Sequence, residues 1–332
     1  MRIVYERAAV RVPATTANMG PGFDSFGMAF RYYDEVSVRP ITGTTRVIVE
    51  GVGAETVPTD DDNLVVQALR AGLDAVGAPQ AGFEMRCVNR IPHGGGMGSS
   101  ASAAVAGLML ARGLIAEPEA LSDDRIFALA TDFEGHPDNV APAVFGGATV
   151  AWVERGGRPR MAPMPVDASL GVSLLIPPAT TRLSTKEARQ VLPVSVPRED
   201  ALFNTSRAAV LMLALAGRPD LLMAGTEDRL HQEYRRGVLP ASMAVMDSLR
   251  EQGYPAVISG AGNIYRAETL FRVGVSPFRA GNRISAERLR AIWEDLRPLM
   301  EYGVATGFIT TVDLDDVPDP LPPDDPEAGR WY

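Results

Sequence analysis

The run from Pro92 to Ala104, Pro-His-Gly-Gly-Gly-Met-Gly-Ser-Ser-Ala-Ser-Ala-Ala, constrains this chain more than any other stretch, because it joins a glycine-dense turn to small helix-compatible residues. Four of the five positions from Gly94 to Gly98 are glycine. They let the backbone adopt positive φ and approach a polyanion, and Ser99 and Ser100 then open a helix whose unpaired N–H groups can face phosphates. The Gly-Lys-Ser/Thr ending of the common phosphate loop is absent, so no lysine inside the turn reaches the β and γ phosphates. A glycine turn before a helix is also ordinary punctuation, and the run by itself leaves both readings open.

The pattern around the run predicts an alternation of strands and helices. Strands are expected at 8–12, 34–50, 82–91, 147–154 and 171–176, with a loop rich in Gly, Asn and Asp between the first two. Helical apolar spacing covers 63–76, 99–114, 123–134, 200–216 and 240–252, and a loop and helix fall at 180–191. The helix before Gly135 ends where Pro137 forbids continuation. Ala256-Val257-Ile258 reads as a short buried strand. With 332 residues, 46% of them apolar, the chain can bury more than one core. A net charge of −9 argues against a general nucleic-acid binder but leaves room for a small anionic ligand. The single cysteine, Cys87, excludes an intramolecular disulfide and a multi-cysteine zinc site, as expected in a reducing cytoplasm. The start of the chain has no signal pattern and no apolar run reaches membrane-spanning length, so a cytoplasmic protein without membrane attachment is expected.

Three clusters then converge. Val12 to Gly27, the glycine-serine run, and Glu134-Gly135-His136-Pro137-Asp138-Asn139-Val140-Ala141-Pro142 stand in an order and spacing that resemble the homoserine kinase branch of the GHMP small-molecule kinases. The resemblance continues through Leu183 to Arg189, Phe203 to Arg207 and Asp228 to Arg235. It implies an α+β fold: a GHMP kinase ATP-binding domain over 1–155, of the ribosomal protein S5 domain 2-like kind, and a ferredoxin-like second domain over 156–262. It implies transfer of the γ-phosphoryl of ATP to the hydroxyl of L-homoserine, with Mg²⁺, on the route to threonine, and it suggests a homodimer.

By the same resemblance Gly94, Gly95, Gly96, Met97, Gly98, Ser99 and Ser100 cradle the nucleotide phosphates. Asn63 lies on the adenine side. Ser99 or Ser100 and Glu134 hold the metal, a suitable set of hard oxygen ligands. Arg189 and Arg235 match carboxylate-binding arginines, and Asp24 matches the ammonium partner. Asn18, His136 and Asn139 line the acceptor pocket and orient its hydroxyl. His231 reads as structural. Singly, Glu134 and His136 could simply end a helix, Asp24 could cap one, and arginines are usually solvated. Where relatives often carry Ser-Arg-Gly-Leu, this chain has Gly94-Gly95-Gly96-Met97, which keeps the backbone cradle and lacks a cation there.

By the kinase resemblance Ser259-Gly260-Ala261-Gly262 should continue as Pro-Thr and an apolar strand. Instead Asn263 to Arg279 resembles the helix-two-turn-helix region of formamidopyrimidine and endonuclease VIII-type DNA glycosylases, and the likeness runs through the helix Ser285 to Tyr302 to Val312. In that family the asparagine matched by Asn263 contacts a DNA phosphate, and seven arginines from Arg266 to Arg297 could assist. Glycosylase catalysis is not expected, because that family uses an N-terminal proline amine and an adjacent glutamate where this chain has Met1-Arg2-Ile3. The expectation is a helical appendage over 263–312, an acidic proline-rich tail over 313–332, an incomplete second domain and weakened kinase activity. The alternative is a non-catalytic DNA-binding fragment fused to a defective kinase.

Overall fold

The computed structural model describes residues 1–175 and 185–258. Asn263, the arginines after it, the helix expected from Ser285 and the acidic tail lie outside the described residues.

The architecture is α+β, built on a six-stranded sheet: β1 (Ala8–Asn18), β2 (Gly22–Ile41), β3 (Arg46–Gly51), β4 (Gly82–Asn89), β5 (Ala148–Val153) and β6 (Pro159–Met164). The order is β3-β4-β2-β5-β6, with β1 pairing the other edge of β2. The long β2 organises the sheet. Its second half pairs antiparallel with β4, its first half with β5, and almost its whole length with β1. Strands β3 and β4 run parallel and are joined by helix α1 (Leu64–Ala75). Helix α2 (Ser99–Leu114) packs on α1 and on β1, and α3 (Asp123–Glu134) and the short α4 (Val140–Phe145) pack on α2.

Alternation places Val36, Val38, Phe83, Met85 and Cys87 on the sheet face that meets Val66, Leu69 and Leu73 of α1 and Leu108 and Ala111 of α2. Cys87 is thus a core residue, and burial pushes its thiol up to about 12. A second cluster joins Phe26, Met28, Ala148 and Met164 to Leu211 and Leu215 of α6 (Arg198–Leu215). The remaining described helices are α5 (Thr185–Gln190), α7 (Leu222–Gly225) and α8 (Pro240–Glu251).

Several expectations are corrected. The loop expected between the first two strands shrinks to a turn at Met19–Pro21 inside a long hairpin, where Asn18, Met19 and Gly20 are three consecutive left-handed residues and Asp24 is a separate left-handed position in β2. Asn18, Met19 and Asp24 have φ of 71°, 51° and 55° and are the non-glycine residues with positive φ among those described. The strand expected at 34–50 is broken by a turn after Ile41. Residues 171–175 form no strand, and the Ala256-Ile258 run is not one either, although Ile258 is buried and its N–H donates to Gln232 Oε1. Burial alone does not make a strand without a ladder partner. Strand β6 and helix α4 were not anticipated from the pattern. Among the described residues no strand follows β6.

The α1–α2 contact depends on small residues, of which Gly107 makes the tightest approach. A Cβ on Gly107 would lie 2.3 Å from the Val65 carbonyl oxygen and 2.7 Å from the Leu69 nitrogen. Gly107→Ala should therefore destabilise the fold by about 1–3 kcal/mol, despite the better helix propensity of alanine, as read from urea unfolding.

Candidate functional site

Helices α1 and α2 present their N-termini to one cavity of about 280 Å³, whose lining includes Asp34, Asn63, Cys87, His93, Ser99 and Ser100. Gly94, Gly96 and Gly98 all take left-handed φ, between 64° and 68°, which turns the backbone sharply into α2. Gly98 occupies the N-cap position, where it has no side chain to bond the first N–H groups, and those donors remain free for an anion. The Met97 side chain packs with Ala14, Ile91 and Leu174, so this residue anchors the loop and offers only its backbone to a ligand.

The loop is pinned at both ends. Asp34 Oδ1 accepts from the Arg90 and Ile91 N–H groups at 2.6 and 2.8 Å, immediately before Pro92. Burial raises the Asp34 pKa, against the two backbone bonds that lower it. At the other end a Cβ on Gly98 would sit 2.0 Å from the Thr15 hydroxyl oxygen, and Thr15 N–H donates to the Met97 carbonyl. Thr15 also donates its hydroxyl to Asn139 Oδ1 at 2.9 Å. Through Thr15, the last glycine of the turn touches a residue of the expected acceptor pocket.

The pocket itself is assembled from four segments. Asn18 Oδ1 accepts from the Asp24 N–H at 3.0 Å, across the left-handed turn. Asp24 is paired with Arg189 of α5 through both carboxylate oxygens, one at 3.1 Å. Asp138, 2% exposed, accepts from the Asn139 N–H at 2.8 Å and from His136 Nδ1 at 2.7 Å. That bond to Asp138 raises the His136 pKa, with burial opposing it. Glu134 ends α3 beside α2, half-buried, and Gly135 caps the helix in the left-handed conformation. Asn63 borders the cavity while capping α1: its Oδ1 accepts from Val65 N–H and its Nδ2 donates to the Pro58 carbonyl.

Behind the pocket lies a buried polar network. Arg235, 5% exposed, donates from Nη1 to His231 Nδ1 at 3.0 Å, and His231 Nε2 donates to the Gly20 carbonyl at 2.7 Å. The Phe23 ring stacks on His231 at 5.1 Å, with the Arg189 and Arg235 guanidinium groups 5.5 and 5.8 Å from its centre. Asp228 accepts from the Leu230, His231 and Gln232 N–H groups and from Asn204 Nδ2 of α6, which holds the segment in place. Burial pushes the His231 pKa down and also lowers that of Arg235.

The structure therefore gathers Asn18, Asp24, His136, Asn139, Arg189 and Arg235 into one region and Asn63, Ser99 and Ser100 around one cavity. Sequence reading did not single out Asp34, Asp138 or Thr15. Asp34 stands beside Glu35 in the strand pattern with no local mark of its role, whereas Thr15 lies inside the Val12 to Gly27 motif. Asn263 lies outside the described residues.

This combination of a glycine cradle on a helix N-terminus and a charged acceptor pocket is that of a GHMP-type small-molecule kinase. The GHMP kinases N terminal domain matches residues 63–147. Homoserine kinases of Clavibacter michiganensis subsp. michiganensis and Leifsonia xyli subsp. xyli are 48% and 45% identical, covering 86% and 90% of this chain and 87% and 91% of their own. The chain belongs to the homoserine kinase family and is a phosphotransferase. The crystal structure of homoserine kinase from Cytophaga hutchinsonii superposes with a TM-score of 0.63 at 24% identity, over 78% of this chain and 84% of that one. That of L. major mevalonate kinase gives 0.55 at 16%, over 90% and 94%, and both share the fold. The formamidopyrimidine-DNA glycosylase H2TH domain also matches, over residues 238–314. That match begins ahead of Gly260, and the kinase relatives cover more of the chain than residues 1–262 contain, so the two similarities overlap. No helix among the described residues is long and apolar enough to cross a membrane.

Two outcomes are expected. Asp34→Ala frees the loop end and should raise the KM for ATP about tenfold, with a smaller effect on the acceptor KM; Asp34→Asn, which keeps the accepting oxygen, should restore it in steady-state assays. The second concerns acid stability. The unfolded chain takes up a proton at His231 near its ordinary 6.5, whereas the fold resists it. The stabilisation due to neutral His231 is thus complete above that pH and declines on acidification through the lowered folded value. Melting temperatures measured between pH 7.5 and 5 should fall less steeply for His231→Gln than for the wild-type protein.

Proposed function

We propose that this protein transfers the γ-phosphoryl of ATP to the side-chain hydroxyl of L-homoserine, giving O-phospho-L-homoserine in threonine biosynthesis. The observation that carries the reading is the Asp24–Arg189 pair beside the buried Arg235. A zwitterion placed between these groups exchanges like for like: its ammonium takes Asp24 and its carboxylate takes the forked donors of Arg189 and Arg235. An acceptor lacking either charge would leave one of them unpaired.

Phosphoryl transfer depends on positioning and charge neutralisation, which is what these residues supply. The N–H groups of the 94–98 turn and the α2 N-terminus hold the phosphates of ATP. The hydroxyl of Ser99 or Ser100 and the Glu134 carboxylate are hard oxygen donors that suit Mg²⁺, which would neutralise the phosphate charge and take phosphate oxygens and water as its other ligands. Asn18 and Asn139 orient the acceptor hydroxyl, Asn139 held by Thr15 and by the 135–139 turn. His136, carrying its proton more readily beside Asp138, is placed to donate to an oxygen in the pocket. No residue is assigned as general base.

In this reading residues 1–155 bind ATP, 156–262 form a partial second domain, 263–312 a glycosylase-like helical segment and 313–332 a tail; the protein acts in the cytoplasm as a homodimer. Coupled ADP release with Mg-ATP should depend on L-homoserine and be negligible with L-threonine or no acceptor. Arg189→Leu should raise the homoserine KM at least about tenfold, and Arg189→Lys should not restore it, because an ammonium cannot reproduce the fork. Folded protein without homoserine-dependent turnover would defeat the reading. Salt-sensitive duplex binding lost in Asn263→Ala, in such an inactive protein, would favour the fused DNA-binding fragment instead.

A further inference from the structure

Arg235 is an unusual buried cation. Among the described residues no carboxylate lies within ion-pair distance of it; its contacts are His231 Nδ1 at 3.0 Å and a longer bond from Nε to the Ala188 carbonyl at 3.3 Å. A guanidinium taken out of water normally finds a carboxylate, since the uncompensated charge is costly. Here its immediate partner is a neutral ring. The tautomer follows from the geometry: Nε2 faces the Gly20 carbonyl at 2.7 Å and must carry the hydrogen, which leaves Nδ1 with a lone pair to accept from the guanidinium. The ring is 0% exposed and held on its face by Phe23.

We propose that His231 is a positioning residue for the acceptor: it fixes the orientation of Arg235 with a neutral hydrogen-bond acceptor and so leaves the full positive charge of the guanidinium for the substrate carboxylate. This rests on the assignment of Arg235 to that carboxylate. A carboxylate in place of the imidazole would hold the guanidinium as well or better, but it would neutralise it and compete with the substrate. The nearby acidic groups fit the same logic. Asp228, with Oδ1 3.7 Å from His231 Nε2, spends its oxygens on backbone N–H groups and Asn204, and Asp24 is occupied by Arg189. The hydrogen bond from Nε2 to Gly20 also ties Arg235 to the turn that presents Asn18 and Asp24, so both charged ends of the substrate would be set by one rigid unit.

The test compares His231→Asn, His231→Asp and His231→Leu in the full chain, by steady-state kinetics with L-homoserine and ATP varied separately. Asparagine can offer a neutral oxygen near the Nδ1 position; aspartate offers the same shape with a charge. His231→Asn should keep the homoserine KM within about threefold of wild type, while His231→Asp and His231→Leu should raise it about tenfold or more, with kcat and the ATP KM changed little. Melting temperature is read for each variant, and if the aspartate or leucine variant does not fold the comparison rests on the other with asparagine. An equal KM for His231→Asn and His231→Asp, or losses that track melting temperature and fall equally on both substrates, would overturn the proposal and leave His231 purely structural. Wild-type protein without homoserine-dependent turnover would remove the assignment beneath it, an outcome distinct from active wild type with insensitive variants.

Discussion

The close approach of Gly98 to the Thr15 hydroxyl is the contact on which the site depends. A side chain at 98 would collide with Thr15, and the turn reaches α2 only through a left-handed residue there, so space and backbone conformation demand the same amino acid. Thr15 is in turn held by the Met97 carbonyl and spends its hydroxyl on Asn139. The glycine turn and the Asn139 segment are therefore two sides of one wall, made by a strand, a helix N-terminus and the turn before α4. In the proposed phosphoryl transfer, whose catalysis is mostly placement, such a shared wall would set the distance between donor and acceptor without either substrate having to organise it.

The pocket's far side is built differently. Asp24 and Arg189 are each a little over one-third exposed and pair with one another, whereas Arg235 is buried against a neutral imidazole. The first pair can open toward water at little cost, since ion pairs at such exposure contribute little net stability. The second cannot relax, because Asp228, Asn204 and the Gly20 turn fix its surroundings. Positive φ at Asn18, Met19 and Asp24 falls in the same place, and backbone strain of this kind concentrates where side chains must be aimed.

Some of this was legible along the chain. Helix α2 runs over the expected residues, and the glycine turn before it lies where the Gly94–Gly98 spacing put it, since both are local: small residues propagate a helix and glycines admit positive φ. The hairpin of β1 and β2 departs from the expected loop because Asn18, Gly20 and Asp24 are turn formers by composition, yet Asn18, Met19 and Gly20 make one tight left-handed turn and Asp24 a single irregular position within β2. Ile258 was rightly taken as buried and wrongly as a strand, its N–H being satisfied by the Gln232 side chain rather than by a ladder. Asp34 carried no local signal at all, because its role is to accept from residues 56 and 57 positions away.

By itself the sequence determined the long helices, the glycine turn before α2 and, through motif order, the family. Those properties follow from neighbours a few residues apart, whose backbone preferences and periodicity are written along the chain. Only the tertiary structure decided which charges meet. Asp24 and Arg189 are separated by 165 positions, and His231 and Gly20 by 211. Whether such groups pair, and whether a buried arginine faces a carboxylate or a neutral ring, depends on how strands and helices pack in three dimensions, which no local pattern specifies.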